Sequence, residues 1–325
     1  MANVLRYLGL GAETEYGTEA AHDVMVDIAS ASLDVPDDPQ IRYEGGLGKV
    51  TRVSRPGYYA PAGDFSYAFD IRTIVDLLHW TLGTRDGDEV YGSLDAILPS
   101  FTAKLGKDLF EHVFTGCTIT SLGLSVEGAF CEATASVLAQ KDAKANIRTI
   151  EDVVDALPDE YPMAFHEVKL EVADVGGANP SDFSARVRSM SMNIDNGVSA
   201  DGGRGLNSRY MYKAISESRD TTVDLTLDYE DLTMLEAFWG SENGPSDDGA
   251  DSKQFKITLD SGIYGELVIL LPKVTIVGSQ QQPSGRSRLE QTVNGIATLD
   301  SVEKADLSIV ETEMFVDASG VISVS

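Results

Sequence analysis

The sequence contains four histidines, the side chains that most often bind zinc or act as a general base near neutral pH. They are His22, His79, His112 and His166. None of them has the spacing of a zinc-binding motif, and none stands in a pattern with a serine or cysteine nucleophile. We therefore interpret them as structural histidines, and the sequence predicts no catalytic residue and no metal site.

Two loops resemble ligand-binding motifs but lack essential residues. The segment GGLGK at 45–49 resembles a phosphate-binding loop, but Tyr43 replaces its first glycine and Val50 replaces its magnesium-binding Ser or Thr. The acidic segment SENGPSDDGADSK at 241–253 resembles a calcium loop without the closing glutamate. We interpret the first as a hairpin loop and the second as a solvated loop, and we predict no cofactor.

The cysteines and the apolar runs indicate the class of protein. Cys117 and Cys131 are too few for a disulfide framework, and they are either small core residues or partners in one bridge. No apolar run approaches the ~20 residues that a bilayer crossing needs. The N-terminus, MANVLRYLGLGAETEYG, lacks the apolar stretch of a signal peptide. These features predict a soluble protein with no membrane segment and no secretion signal.

Acidic residues outnumber basic residues by 52 to 25, which gives the chain a net charge of −27. A hydrophobic content of 42% shows that this is not a disordered acidic segment. Because Asp and Glu are spread along the whole chain, the balance favours a protein that works in high salt, where self-repulsion is screened, over an ordinary acidic protein. It also argues against a surface that binds duplex DNA, since phosphate neutralisation needs clustered Lys and Arg.

One pattern of strand and helix occurs twice. FSYAFDIRTIVDLLHWTLG at 65–83 and VDLTLDYEDLTMLEAFWG at 223–240 align without a gap at an offset of 158 residues, and the same offset aligns 131–139 with 289–297. Further upstream, SASLDV at 30–35 resembles SMSMNI at 189–194 with a shift of one residue. The sequence therefore predicts an internal duplication of one fold.

Periodicity assigns the elements of each copy. Strict alternation predicts half-buried strands, and apolar residues three and four apart predict one amphipathic helix per copy. Asp70 and Asp228 stand where each helix needs an N-terminal cap. Gly83 and Gly240 stand where a left-handed residue would end it.

The repeated segments resemble a known family. VFTGCTITSLGLSVEGAFCEATASVLAQ at 113–140 is similar to part of the tail tube proteins of long-tailed bacteriophages and archaeal viruses. SMSMNIDNGV, VDLTLDYEDLTMLEAFWG and LPKVTIVGSQQQPSGRSRLEQTVNGIA repeat that resemblance in the second half. The likeness covers the chain from about 10 to about 300. Together with the acidity, it implies a siphovirus-type tail protein of a halophilic archaeal virus.

The resemblance implies a mainly β (α+β) fold. We expect two duplicated tail-tube-type lobes, each a β-sandwich or barrel with one flanking helix, that form a ring with a continuous inner β-barrel. The expected divisions are an N-terminal arm at 1–24, a first lobe at 25–150 with a long stacking hairpin at 35–62, and a second lobe with C-terminal strands at 151–325. Single-lobe relatives form hexameric rings, so a two-lobed chain implies a homotrimer.

The resemblance also assigns two surfaces. The polar face of two paired strands would line the lumen, or else be an ordinary solvent face; it carries Glu132, Thr134, Ser136, Glu290, Thr292 and Asn294. Aromatic and arginine side chains favour interfaces, so the hairpin at 35–62 and its second-lobe counterpart would stack rings, unless the hairpin is a mobile surface loop. Their anchors are Arg42, Tyr43, Arg52, Arg55, Tyr58, Tyr59, Arg204, Arg209 and Tyr210.

The implied function is a conduit for genome delivery. The partners would be other copies of the chain in stacked rings, tape-measure proteins and tail terminator or tip proteins, while DNA passes the acidic lumen without specific binding and no membrane is involved. The location would be the virion tail, assembled in the host cytoplasm. One alternative is another β-rich virion or surface-layer component, such as a capsid decoration protein. Another is a carbohydrate- or calcium-binding β-sandwich enzyme, which would need a cleft with paired carboxylates.

Overall fold

The computed structural model describes most of the chain, and every statement below concerns the described residues. They are 6–22, 24–34, 40–43, 53–86, 89–91, 97–157, 161–177, 180–247, 249–262, 265–281, 283, 288–298, 308–312, 314–316 and 322–324.

Antiparallel strands dominate the first half of the chain, because its alternating segments leave one face apolar. The strands are β1 Leu8–Ala12, β2 Val24–Val26, β3 Ser30–Ala31, β4 Gln40–Tyr43, β5 Val53–Pro56, β6 Ala62–Ala68, β7 Thr84–Asp86, β8 Glu89–Tyr91, β9 Phe101–Gly106, β10 Glu111–Val126, β11 Cys131–Leu138 and β12 Lys141–Ala145. The helices are α1 Ile71–Leu82 and the short α2 Ile150–Val154.

The second half has the same character. Its strands are β13 Val168–Asp174, β14 Ser181–Asp182, β15 Val187–Asp195, β16 Asp220–Asp228, β17 Ser252–Asp260, β18 Glu266–Gln281, β19 Glu290–Ala297, β20 Ser308–Thr312, β21 Met314–Val316 and β22 Ile322–Val324. Its helices are α3 Thr233–Trp239 and the 3-10 turns Phe165–Glu167 and Ser184–Arg186. The fold is mainly β, as the sequence predicted.

The two halves share one pairing pattern. Each contains a strand of 16 residues, β10 or β18, whose first and second parts belong to different sheets. The second parts lie in one sheet that runs through both halves in the order β3–β6–β11–β10–β15–β16–β19–β18, which we call the shared sheet. The first parts lie in separate lobe sheets, β2–β1–β9–β10–β12 and β14–β13–β17–β18–β20–β8–β7.

Irregularities recur at equivalent places in the two long strands. Thr120 is the extra residue where the β10–β11 register shifts, and Val277 is the extra residue in the β18–β19 pair. A bulge bends a strand and increases its twist, so each long strand turns from its lobe sheet into the shared sheet in the same way. The duplication therefore extends to the details of strand pairing.

The shared sheet corrects one detail of the sequence alignment. Ser30 pairs with Ser66, and Ser191 pairs with Asp224, which aligns with Ser66 at the offset of 158. Ser30 is therefore equivalent to Ser191, two residues away from the alignment read from the sequence. The structural match, SASLD with SMNID, places the buried Leu33 on the buried Ile194.

The two helix starts differ. Asp70 caps α1, because its Oδ1 accepts a hydrogen bond from the Thr73 backbone N–H at 2.8 Å. The predicted cap at Asp228 is wrong: Asp228 is the last residue of β16, and α3 begins after Leu232 without a side-chain cap. Gly83 and Gly240 both end their helices in the left-handed conformation.

The core occupies the space between the shared sheet, the lobe sheets and α1. One buried apolar cluster contains residues of both halves, and both cysteines are free thiols. The predicted N-terminal arm needs correction, because β1 pairs with β9 over five residues and Leu8 and Leu10 are buried. A small cluster of Tyr7, Met25 and Val153 attaches α2 to the first lobe.

Candidate functional site: the open face of the shared sheet

The shared sheet has one buried face and one open face. On β11, Glu132 and Thr134 are exposed and Ser136 is half-buried, because the intervening side chains face the core. On β19, Glu290 and Thr292 are exposed and Asn294 is half-buried. The buried side chains between them are Cys131, Ala133, Ala135, Val137, Gln291 and Val293.

Strand register places these six residues in corresponding rows. Thr134 lies opposite Ser66 on one side and Gly123 on the other. Thr292 lies opposite Thr226 and Gln280 in the same way. Since directly opposite side chains of a sheet share a face, the sequence-predicted lumen residues all lie on the open face.

The open face is strongly acidic. Across the shared sheet it carries the exposed acids Asp64, Glu132, Asp195, Asp220, Asp224 and Glu290, whereas Asp228, on the same side, is only 3% exposed. Hydroxyls and amides lie between them, together with the exposed apolar side chain of Ile296, and Asn294 donates a hydrogen bond from Nδ2 to Asp224 Oδ1 at 2.5 Å. Anions such as nucleic acid phosphates are repelled by a surface of this kind.

Arginines accompany the acids at one end of this face. Arg188 donates to Asp228, and Arg288 Nη1 lies 3.1 Å from the same carboxylate. Arg288 also donates to Glu230 at 2.5 Å, and Arg186 forms an ion pair with Asp231. Asp228 is therefore an ion-pair partner between two strands, and this explains why it does not cap α3.

The predicted stacking residues of the two loops contact one another within the chain. Tyr59 and Tyr210 form an isolated β-bridge, and their rings meet edge to face with centroids 5.9 Å apart. The Arg209 guanidinium lies 5.2 Å from the Tyr59 ring centroid, and the Arg204 guanidinium lies 4.6 Å from that of Tyr58. We call these five residues the loop contact. They join the first half to the second, a role that the sequence did not predict.

Two further hydrogen bonds anchor the loop contact. The Tyr58 hydroxyl donates to the Ala200 carbonyl at 2.7 Å, and the Tyr59 hydroxyl donates to Asp142 Oδ1 at 2.6 Å. Asp142 Oδ2 lies 2.8 Å from His112 Nε2. Burial opposes ionisation of Asp142, but the hydrogen bonds from His112 and Tyr59 outweigh it and lower the pKa of the carboxyl below its usual range. Burial and the bond to Asp142 raise the pKa of Tyr59.

The remaining stacking candidates lie in or near the predicted hairpin. Its backbone pairs Gln40–Tyr43 with Val53–Pro56. Arg55 is exposed on β5. The side chains of Arg42 and Tyr43, and the whole of Arg52, lie outside the described residues.

Asn196 is a positioning residue that the sequence analysis missed. Its side chain is 1% exposed, and its Nδ2 donates to the carbonyls of Thr81 and Ile119 at 2.9 and 3.3 Å. Its backbone N–H donates to the Thr120 carbonyl. Asn196 thereby joins the end of β15 to α1 and β10. An Asn-Gly pair is typical of a turn, and nothing in it specifies contacts with α1 and β10.

Within the described part of the chain, no group of three or more His, Cys, Asp or Glu side chains is arranged to hold a metal ion. Nor do the described helices include one with the length and apolar character needed to cross a membrane.

Comparison with known proteins decides the family. The family model described as "Phage tail tube protein" matches residues 5–297 of the chain. The chain belongs to the phage tail tube protein family. It is therefore a structural protein of the virion tail tube. The family match spans both halves of the chain.

Two other comparisons add no functional argument. No curated protein sequence matches the chain. Among solved structures, the apo state of K. pneumonia MrkH is similar at 10% identity, with 74% of this chain and 90% of that chain covered and a TM-score of 0.19. A likeness at this level carries no conclusion about this tail tube protein.

Proposed function

We propose that three copies of the chain form a ring and that stacked rings form the tail tube. The observation that carries this proposal is the shared sheet, which passes through both halves with the same pairing order. A sheet that stops at β3 and β18 leaves an unpaired edge at each end, and closing a ring removes such edges. Two different edges make a head-to-tail contact, which closes into a ring or continues as a helix.

The open face of the shared sheet lines the channel in this proposal. Its acids would keep DNA phosphates from adhering, so that the genome passes without specific binding. Hydroxyls and amides between the acids keep the wall hydrated. The protein acts as a conduit rather than as an enzyme.

The first experiment measures assembly. Purified protein is analysed by native mass spectrometry and negative-stain microscopy. Rings with the mass of three chains support the proposal. Rings of six chains contradict the trimer, and protein that remains monomeric at all concentrations contradicts self-assembly.

A second experiment tests stacking by the hairpin at 35–62. Residues 44–52 are replaced by Asn-Gly, a two-residue turn suited to antiparallel strands. This change retains Tyr58 and Tyr59, which the loop contact needs. We expect rings that no longer form long tubes. Tubes of normal length would contradict the stacking role.

The proposed tube works together with other tail proteins in a virus of a particular type. Tape-measure protein inside the tube and terminator or tip proteins at its ends are the proposed partners, with assembly in the host cytoplasm and final location in the tail. The net charge of −27 supports a siphovirus-type virus of a halophilic archaeon, because dense acidity is tolerated where salt screens it.

A further inference from the structure

The junction between the two halves of the shared sheet provides a template for a junction between chains. Inside the chain, β10 pairs with β15 in an antiparallel register that runs from Ser121 opposite Asp195 to Val126 opposite Met190. We call this pairing the internal junction. Its buried face brings Leu122 directly opposite Ile194, and both side chains are fully buried.

Each side of the internal junction has an equivalent at a free edge. Leu124 pairs with Ala133 in the first half, and Gln281 pairs with Gln291 in the second. Ala133 and Gln291 align at the offset of 158. Gln281 is therefore equivalent to Leu124. Ser30 is equivalent to Ser191, as shown above. Among the described residues, no strand pairs with Gly278–Gln281 on the side away from β19, and β3 pairs with β6 alone.

We propose that Gly278–Gln281 of one copy pairs with Ala31–Asp34 of a second copy in the register of the internal junction. Gly278 then lies opposite Asp34, Gln280 opposite Ser32, and Gln281 opposite Ala31. We call this pairing the chain-to-chain junction. It rests on the proposed ring and specifies which residues close it.

A groove beside β3 supports the same docking. It has a volume of about 390 Å³ and lies between the segment Ile28–Ala31 and the turn Leu105–Asp108. In the second half, a cavity lined by Met190 and by Val126 of β10 measures only about 30 Å³. Pro283, which is exposed, stands at the position equivalent to Val126. Docking of a second copy would place Pro283 over Ala29, at the open groove.

The chain-to-chain junction differs from the internal junction in its chemistry. Ser279 and Gln281 replace the buried Leu122 and Leu124. Gln291, which is 3% exposed, donates from Nε2 to Ser279 Oγ at 2.8 Å, and Gln281 donates to the same oxygen at 2.8 Å. The edge therefore presents a hydrogen-bonded polar cluster where the internal junction presents leucines. Less apolar surface is buried at this junction, so it separates more readily than the internal junction.

The test is disulfide cross-linking between two variants. Ser32→Cys and Gln280→Cys chains are mixed, allowed to assemble and oxidised. Directly opposite residues have Cβ atoms about 4.5–5.5 Å apart, close to the reach of a disulfide. The native Cys117 and Cys131 are fully buried and will not compete. We expect covalent dimers in the mixture and none in either variant alone.

Two controls define the register. Gly123→Cys with Asn193→Cys in one chain is the same pair at the internal junction, and it should form a disulfide within the monomer. Ser30→Cys with Gln280→Cys is two residues out of register and should give at least tenfold less dimer. Equal yields for the Ser30 and Ser32 pairs would overturn the register.

Native mass spectrometry of the same samples distinguishes an incorrect chain-to-chain junction from the absence of rings. Rings of three chains without a Ser32–Gln280 cross-link would overturn the chain-to-chain junction and leave the ring intact. Absence of rings would contradict the proposed function itself, and cross-linking without rings would show an open head-to-tail chain.

Discussion

At the scale of single residues, Asp142 connects the loop contact to the first lobe sheet. It accepts hydrogen bonds from Tyr59 and His112, which lie on different segments of the first half. His112 is buried between Phe110 and Phe114, with ring centroids at 5.6 and 4.2 Å. Asp142 therefore connects the segment of Tyr59 to β10, which carries His112.

Asp142→Asn should destabilise the protein at neutral pH and not in acid. The folded pKa of Asp142 lies below its ordinary value, so its stabilisation is present above the unfolded pKa of about 3.9 and disappears as pH falls through the folded pKa. We expect a loss of about 1.5–3 kcal/mol at pH 7, the usual value for hydrogen bonds to a charged group.

The measurement is chemical denaturation of the native protein and Asp142→Asn at pH 7 and near pH 2. Asp195→Asn, an exposed carboxylate of the open face, is the matched control and should change little at either pH. An equal loss for Asp142→Asn at both pH values would exclude the carboxylate as its cause.

At the scale of elements, the two copies use one strand-to-helix plan with different starts. In the first copy, a turn at Asp70 leads directly into a helix of 12 residues. In the second, Asp228 is held by arginines, the chain continues through Asp231, and α3 has only seven residues. The same residue type at the same repeat position therefore has two roles, because its neighbours differ.

Asp70→Ala should cost about 1 kcal/mol of unfolding free energy, the usual loss for a removed N-cap. Asp70→Asn keeps the side-chain acceptor for the Thr73 N–H and removes a buried charge, whose desolvation raises the pKa of Asp70. It should remain within about 0.5 kcal/mol of the native protein, since Asn and Asp are comparable caps. Thermal unfolding measures the stability of both variants. Equal losses of unfolding free energy in Asp70→Ala and Asp70→Asn would show that Asp70 acts through its charge.

The sequence predicted the elements with clear periods better than the contacts between them. Alternation in CEATASVL placed Glu132 and Thr134 on an exposed face, since a strand's side chains must alternate. The offset of 158 located β6, β11 and their partners, but loop insertions shift other equivalences, so Ser30 was aligned two residues from its true match. The loop contact was unpredictable, because nothing in the local sequence specifies that Tyr59 meets Tyr210 from the other half.

At the scale of the whole molecule, two junctions of one geometry have different chemistry. The internal junction packs leucines, and the proposed chain-to-chain junction presents Ser279, Gln281 and Gln291. A soluble chain with leucines at a free edge would aggregate before it assembled, since unpaired apolar edges recruit other strands. In the proposed assembly, the polar cluster keeps this edge soluble until a second copy covers it.

The combined variant Ser279→Leu, Gln281→Leu, Gln291→Ala restores the residues of the internal junction at the free edge. We expect rings that withstand dilution at least tenfold further than native rings, because more apolar surface is buried between chains. Mass photometry over a dilution series gives the ratio of the dilutions at which variant and native rings dissociate. Thr134→Leu, on the open face of β11 and between β6 and β10, lies away from both sheet edges; it is the control and should leave the ratio unchanged. Weaker rings in the combined variant would show that the hydrogen-bonded cluster itself holds the junction.

The net charge of −27 predicts salt dependence of the whole fold. In dilute buffer the acids of the open face repel each other, whereas at about 1 M salt the Debye length falls to ~3 Å. We expect a higher melting temperature and more complete ring formation in molar sodium chloride. Sucrose at matched viscosity is a suitable control for non-ionic effects. An unchanged melting temperature would contradict salt adaptation.

The passage of the shared sheet from β10 directly into β15 has an arithmetic consequence. Every chain brings two lobes that cannot be parted, so a closed circle contains an even number of them. Five- and seven-lobed circles, the nearest misassemblies of the proposed six-lobed ring, are forbidden by connectivity alone. The nearest permitted errors have four or eight lobes and require a much larger change in curvature. The covalent link between the two lobes thus restricts the number of lobes per ring, and with it the diameter of the channel, before any energetic preference acts.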